Sequence, residues 1–286
     1  MTWIVPVSDS ERLQGCLSAS NAEAAYQAFC QHGCVLLRGV FEPSSVDALY
    51  REYQEQYGAL DGQQMAARAE QPAPNPVAWV GERRYEILPH MGGAFGDPYL
   101  FANPLLHGLL RSLLGEMIRL SGLTLVVSYP GADKQHTHRD HPLLFGDPNV
   151  ALNLPPYAIN VAVPLIDVDH ETGPTGIWLG SQHWADESRA VPESMTVVPF
   201  QRGDCILLDY RTLHAGVPNR GTVVRPIAYM VYTRTWFFDE INHRMRPSLG
   251  MTLEEYGNLP EEVHPLVMRV FSQHARARFF NEPHDD

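Results

Sequence analysis

No stretch of the chain approaches 18 consecutive apolar residues, so nothing in it reads as a membrane-spanning helix. Runs of Lys and Arg are missing too, and the formal charge of −12 argues against nucleic acid or an anionic membrane surface as a partner. Cysteine is sparse: Cys16, Cys30, Cys34 and Cys205 show no CxxC spacing, which favours reduced, partly buried thiols over disulfides or a zinc site. Residues Met1 to Pro6 lack the basic segment and apolar core of a signal peptide, so a soluble, cytoplasmic protein is expected. Repeats and a dividing linker are also lacking. A length of 286 residues, 44% hydrophobic with 23 Pro and 22 Gly, fits one large turn-rich domain over 1–286.

What is present falls into three parts: a helical region over about 1–120, a β-rich core over about 121–238, and a helical segment over about 239–286. Residues 20–32 have helical spacing, with Ser20 as a cap and Gly33 as the stop. Cys34 to Val40 is a short β-rich run. Pro43 opens a second helix whose Val46, Leu49, Tyr50, Tyr53 and Tyr57 form a core stripe. Asp61 to Pro76 is rich in Gln, Ala and Pro without periodicity and reads as a loop or flap. Arg83 to Leu88 reads as a strand, and Tyr99 to Leu114 as a helix interrupted near Pro104. Further apolar runs at Leu123 to Tyr129, Tyr157 to Ile166, Met195 to Phe200, Cys205 to Asp209 and Val223 to Trp236 are divided by turn residues. That spacing predicts a sandwich or jelly roll. Thr252 to Phe280 reads as mainly helical.

The chemistry concentrates in Gln135-His136-Thr137-His138-Arg139-Asp140-His141, which follows the strand ending at Tyr129. If the chain stays extended there, residues two apart share a side. His138 and Asp140 then present an imidazole and a carboxylate together, with Arg139 turned away. His136 and His138 would make a same-side pair as well. One more histidine would complete the 2-His-1-carboxylate face that holds non-haem Fe(II). The candidate is His214, 74 residues beyond Asp140, with Asp209 a weaker rival ligand. Alone, His-x-Asp in a chain with 13 histidines is most often a structural hydrogen bond.

The order of the signals resembles the phytanoyl-CoA dioxygenase family of Fe(II)- and 2-oxoglutarate-dependent oxygenases. The resemblance starts with a strand ending Leu37-Arg38-Gly39-Val40-Phe41 before the Pro43 helix. It runs through Gln135-x-x-His138-Arg139-Asp140, Gly173-Pro174-Thr175, Gly180-Ser181-Gln182-His183 and Gly203-Asp204, and ends with Arg211-x-x-His214-Ala215-Gly216 and Arg225. The turn from Gly180 to His183 departs from the family's shorter Pro-Gly-Ser-His form. The resemblance implies a mainly β fold with flanking helices around a double-stranded β-helix (jelly-roll, cupin-like) core. It implies iron ligands at His138, Asp140 and His214, and Arg225 as the cation for the distal carboxylate of 2-oxoglutarate. Gln135, Thr175 and Asn160 are implied as further hydrogen-bonding partners of the co-substrate.

With Fe(II), 2-oxoglutarate and O2, such a site hydroxylates an unactivated C–H of a small molecule and releases succinate and CO2. An aspartate at 140 argues against a halogenase, whose pattern has a small residue there. Phe145, Trp178, Arg211, Arg234 and Trp236, near the expected mouth, suit a partly apolar acid. Gly173, Gly176, Gly180, Gly203 and Gly216 read as turn formers. Two competing readings use the same fold: a non-catalytic 2-oxoglutarate or metabolite sensor, and a cupin-type metalloenzyme without 2-oxoglutarate.

Overall fold

The computed structural model describes residues 2–72, 74–243 and 247–274. Eleven strands are seen among them: β1 (Ile4–Pro6), β2 (Cys34–Arg38), β3 (Val77–Gly81), β4 (Arg84–Ile87), β5 (Ile118–Ser128), β6 (Ala158–Pro164), β7 (Thr175–Ile177), β8 (Thr196–Val197), β9 (Cys205–Asp209), β10 (His214–Gly216) and β11 (Arg225–Arg234). Eight form one sheet in the order β1-β2-β9-β6-β11-β5-β4-β3, and three form a second in the order β10-β7-β8. This pair of sheets is the jelly-roll core. Its central strands are mainly apolar and buried along their length: β6 is buried at every residue, and so is β9. Such strands need cover on both faces. Helices supply it on one side, and the small sheet faces the other across a cavity.

The helices before the core are α1 (Asp9–Gln14), α2 (Ala19–His32), α3 (Pro43–Tyr57), α4 (Gly62–Ala69), α5 (Pro98–Phe101) and α6 (Pro104–Leu114). The same 120 residues also give the large sheet its four strands β1 to β4. Helix α2 starts one residue earlier than the spacing suggests, because Ser18 rather than Ser20 accepts from the Asn21 amide. It ends where Gly33 takes φ +71°, a left-handed conformation that glycine adopts without strain. Helix α3 buries Val46, Leu49, Tyr53 and Tyr57, as its stripe predicts. Helix α4 corrects the reading of 61–76 as a loop. Asp61 and Gln64 form a reciprocal capping box, and Met65 anchors the short helix in the core.

Three more short helices follow the second half of the core or interrupt it: α7 (Pro148–Ala151), α8 (Glu240–His243) and α9 (Leu253–Gly257). The C-terminal segment is less helical than its pattern suggests. Beyond α9 it has one turn of 3-10 helix at Glu261–Val263 and a helical stretch over 269–274. The remainder of that expected helix lies outside the described residues. The run from Met195 to Phe200 is a strand only at Thr196–Val197. No helix among the described residues is long and apolar enough to cross a membrane.

Candidate metal centre

Strand β5 ends at Ser128, and Tyr129 to Ala132 turns the chain back. The heptapeptide that follows is extended along β10 but pairs with it as a single bridge: the amides of His138 and His214 each donate to the other's carbonyl at 3.0 Å. Gln135 and Asp140 fix the two ends, donating to Gly216 O at 2.9 Å and Tyr210 O at 3.1 Å. The alternation expected of an extended chain is realised. His138, Arg139 and Asp140 all border one cavity, but the Arg139 guanidinium is turned to Glu187 and the carbonyls of Ser181, Trp184 and Arg211.

Across the bridge His214 joins them. One ligand atom from each of His138, Asp140 and His214 lies within 4.8 Å of the other two. His214 Nε2 stands 3.5 Å from Asp140 Oδ1, and the two imidazole centroids are 4.4 Å apart. Bonds of about 2.0–2.2 Å to one ion put neighbouring donors roughly 3 Å apart, so a small contraction closes the set. The tautomers also fit. His138 Nδ1 lies 2.9 Å from His136 O, and His214 Nδ1 lies 3.1 Å from Thr212 O. A ring nitrogen facing a carbonyl must carry the proton, which leaves each Nε2 lone pair for a metal. Asp209, the rival ligand, is held by Arg211 through both carboxylate oxygens at 2.9 and 2.7 Å.

Burial, and then the neighbouring His214, lowers the His138 pKa from 6.5 to about 3, so this imidazole is neutral at physiological pH. Burial pushes the Asp140 pKa up, and a nearby cation would relieve that penalty. Unfolded His138 takes up a proton below its ordinary 6.5 that the folded side chain refuses until about 3. Stability is therefore lost as pH falls through this window. Melting of the metal-free protein across it should show a smaller decline for His138→Gln than for the wild type. Equal declines would remove His138 as the cause.

The cavity, of about 630 Å³, lies between the sheets. Arg84, Asn160 and Arg225 line it from the large sheet, and Thr175, His214 and Gly216 from the small one. Arg225 opens β11 opposite Ser128 of β5, and Arg84 of β4 faces the same serine from the other side. Two guanidiniums thus stand in one row across the sheet. Arg225 is 2% exposed, no hydrogen bond or ion pair from the described residues holds it, and its Nε is buried unpaired. Burial pulls its pKa down. Arg84 has its pKa lowered to about 10 by burial and then by Arg225, yet it donates to Gln135 Oε1, Asp133 O and Val217 O.

Gln135 is occupied within the protein: its Oε1 accepts from Arg84 and the Gly216 amide, and its Nε2 donates to Val80 O. Thr175 and Tyr229 share a hydroxyl contact of 3.4 Å at the cavity wall. Asn160 donates to Asp140 Oδ2 at 3.3 Å. Gly216 and Gly176 lie within strands rather than turns. At Gly216 the missing side chain makes room: a Cβ would collide with Arg84 Nη1 and stand 2.6 Å from Gln135 Oε1.

Five residues expected near the mouth do not line this cavity. Trp178 is fully buried beside Leu213 and Ala215 and donates to Val191 O. Arg211 pairs with Asp209 and bonds Leu154 O, and Arg234 bonds Pro156 O and Leu113 O. Phe145 and Trp236 are exposed outside it. The outer wall is instead Trp79 of β3 and Ile241 of α8. Sequence reasoning missed these two, together with Arg84, Tyr229 and Asn242. The signal for Arg84 was an arginine alternating with Tyr85 and Ile87, both buried, in a predicted strand.

A jelly roll whose two sheets enclose a 2-His-1-carboxylate cluster defines the class. Residues 29–227 match the family Phytanoyl-CoA dioxygenase (PhyH), well over half the chain, and the chain belongs to that family. It is 25% identical over 201 residues to dioxygenase aneA of Aspergillus aculeatus, covering 68% of this chain and 66% of aneA, or about two thirds of that relative's length. It is 27% identical over 219 residues to the Fe(II)/2-oxoglutarate-dependent dioxygenase nvfF of Aspergillus novofumigatus, covering 72% of each. Among solved structures, the epimerase SnoN in complex with Fe3+, alpha-ketoglutarate and nogalamycin RO has the same fold at TM-score 0.54 and 20% identity, over 76% of this chain and 85% of SnoN.

Proposed function

We propose that this chain is an Fe(II)- and 2-oxoglutarate-dependent oxygenase that hydroxylates a C–H of a small, partly apolar molecule. His138, Asp140 and His214 hold the metal, and Arg225 holds the distal carboxylate of the co-substrate. The observation that carries this reading is Arg225 itself. A guanidinium 2% exposed, without a carboxylate partner among the described residues, is costly unless an anion enters the cavity it lines. Its planar donors suit a carboxylate two-pronged.

Arg84 adds a second positive charge to that end of the cavity, and Thr175 and Tyr229 add hydroxyls. When bound, Fe(II) with 2-oxoglutarate and O2 supplies the oxidation: the substrate C–H becomes C–OH, and the co-substrate leaves as succinate and CO2. The protein's part is to orient and enclose. Trp79 and Ile241 are 66% and 60% exposed at the wall, and covering them with an apolar portion of substrate would remove both from water.

Anaerobic titration of the Fe(II) protein with 2-oxoglutarate should produce the visible charge-transfer band of a 2-oxo acid chelate. O2-dependent succinate release with a panel of small molecules should follow, with product analysis separating hydroxylation from epimerisation. Fe(II) binding without the band would remove the co-substrate from the reading. A band with neither coupled nor uncoupled turnover would favour a sensor.

A further inference from the structure

We propose that Asn160 is a positioning residue, holding Asp140 as a one-oxygen metal ligand by donating its side-chain amide to the carboxylate oxygen that faces away from the second histidine. The inference rests on the metal site proposed above, and it gives Asn160 a role other than binding the co-substrate.

The geometry is specific. Asp140 turns Oδ1 toward His214 Nε2 at 3.5 Å and Oδ2 toward Asn160 Nδ2 at 3.3 Å. The two oxygens therefore have different partners, and the carboxylate is held against rotation about its own axis. Asn160 sits mid-strand in β6, between Leu208 of β9 and Val231 of β11, in backbone that cannot shift without breaking the sheet. Asn160 is 9% exposed, so bulk water competes little for its amide. The amide cannot flip, because that would set Oδ1 against a carboxylate oxygen.

The fixed orientation has a further effect. Asn160 Oδ1 is left buried with no hydrogen-bond partner among the described residues. A buried acceptor without a donor is unfavourable, and Asn160 lines the cavity. An O–H or N–H of whatever occupies the site would satisfy it. A second asparagine supports the same aspartate from behind: Asn242 Nδ2 donates to Asp140 O at 2.9 Å and to Asp239 Oδ2 at 2.7 Å. Backbone and carboxylate of Asp140 are thus held by separate amides. Groups that orient a metal ligand typically contribute about 10–100-fold to metal affinity.

The test uses the full-length protein and Mn(II) alone, without 2-oxoglutarate, with affinity from calorimetry and ligand geometry from the Mn(II) EPR spectrum. Asn160→Leu and the β-branched Asn160→Val both remove the donor. Each should weaken Mn(II) binding about 10-fold or more and change the EPR spectrum as the carboxylate becomes free to rotate. Leu208→Val perturbs packing beside Asn160 without touching the amide, and should leave both readouts as in the wild type. Unchanged Mn(II) binding in both Asn160 variants, or equal losses in Leu208→Val, overturns the role. A raised 2-oxoglutarate requirement with Mn(II) affinity intact also overturns it, by placing the amide on the co-substrate. Failure of the wild type to bind Mn(II) would overturn the metal centre itself, and this role with it.

Discussion

Arg225→Met should have two effects of opposite sign: the ligand-free protein melts at a higher temperature, and 2-oxoglutarate binding is lost. In the absence of an anion Arg225 is a liability to the fold. It is buried, unpaired among the described residues, and close enough to Arg84 to lower that residue's pKa. Methionine fills a similar volume without a charge. Replacing buried charge by apolar side chains of like volume commonly stabilises by about 1–4 kcal/mol. In a chain of this size that corresponds to a rise of roughly 2–4 °C for each kcal/mol. Binding moves the other way. Truncating one partner of a buried charge pair costs about 2–5 kcal/mol, or roughly 30- to several-thousand-fold in affinity. Thermal melts with and without 2-oxoglutarate, together with calorimetry, read both effects. A variant that melts lower and binds the co-substrate normally would show Arg225 to be a structural strut.

Strand periodicity and motif order carried much of the site because its parts are local. His138 and Asp140 are two residues apart in an extended stretch, so their common side follows from backbone geometry alone. Arg225 stands at the start of a strand whose next six residues, Pro226 to Val231, carry no charge. Other features depend on what the sheet brings together. Arg84 lies 141 residues from Arg225, and only the pairing of both with Ser128 places them side by side. Trp79 and Ile241 reach the same cavity from an edge strand and a helix after the core, with no local pattern to link them.

The converse error came from proximity in sequence. Trp178 and Arg211 are near the motifs but satisfy themselves close by, the one in a small apolar cluster and the other on Asp209 two residues away. Helix α4 escaped notice because it is only 8 residues long and buries Met65 alone, too short for a period to be read. Its capping box was the readable signal: Asp61, with Gln64 three residues on, begins a helix even where the helix is short.

The second large effect is expected for His214→Ala. The fold should survive, since the bridge to His138 is made by backbone groups that alanine retains. The metal should not. Two donors remain of three. The loss of Mn(II) or Fe(II) affinity should exceed the roughly 10–100-fold typical of an outer partner. One side chain could mask the result. His136 lines the same cavity, with its ring centred 4.9 Å from that of His138, and could swing in as a substitute. Asp209 cannot, because Arg211 holds both its oxygens. The pair His214→Ala and His136→Ala/His214→Ala therefore decides the matter. Metal affinity that survives the first and vanishes in the second assigns His136 as a replacement ligand, whereas near-normal affinity in both would mean that position 214 does not hold the ion.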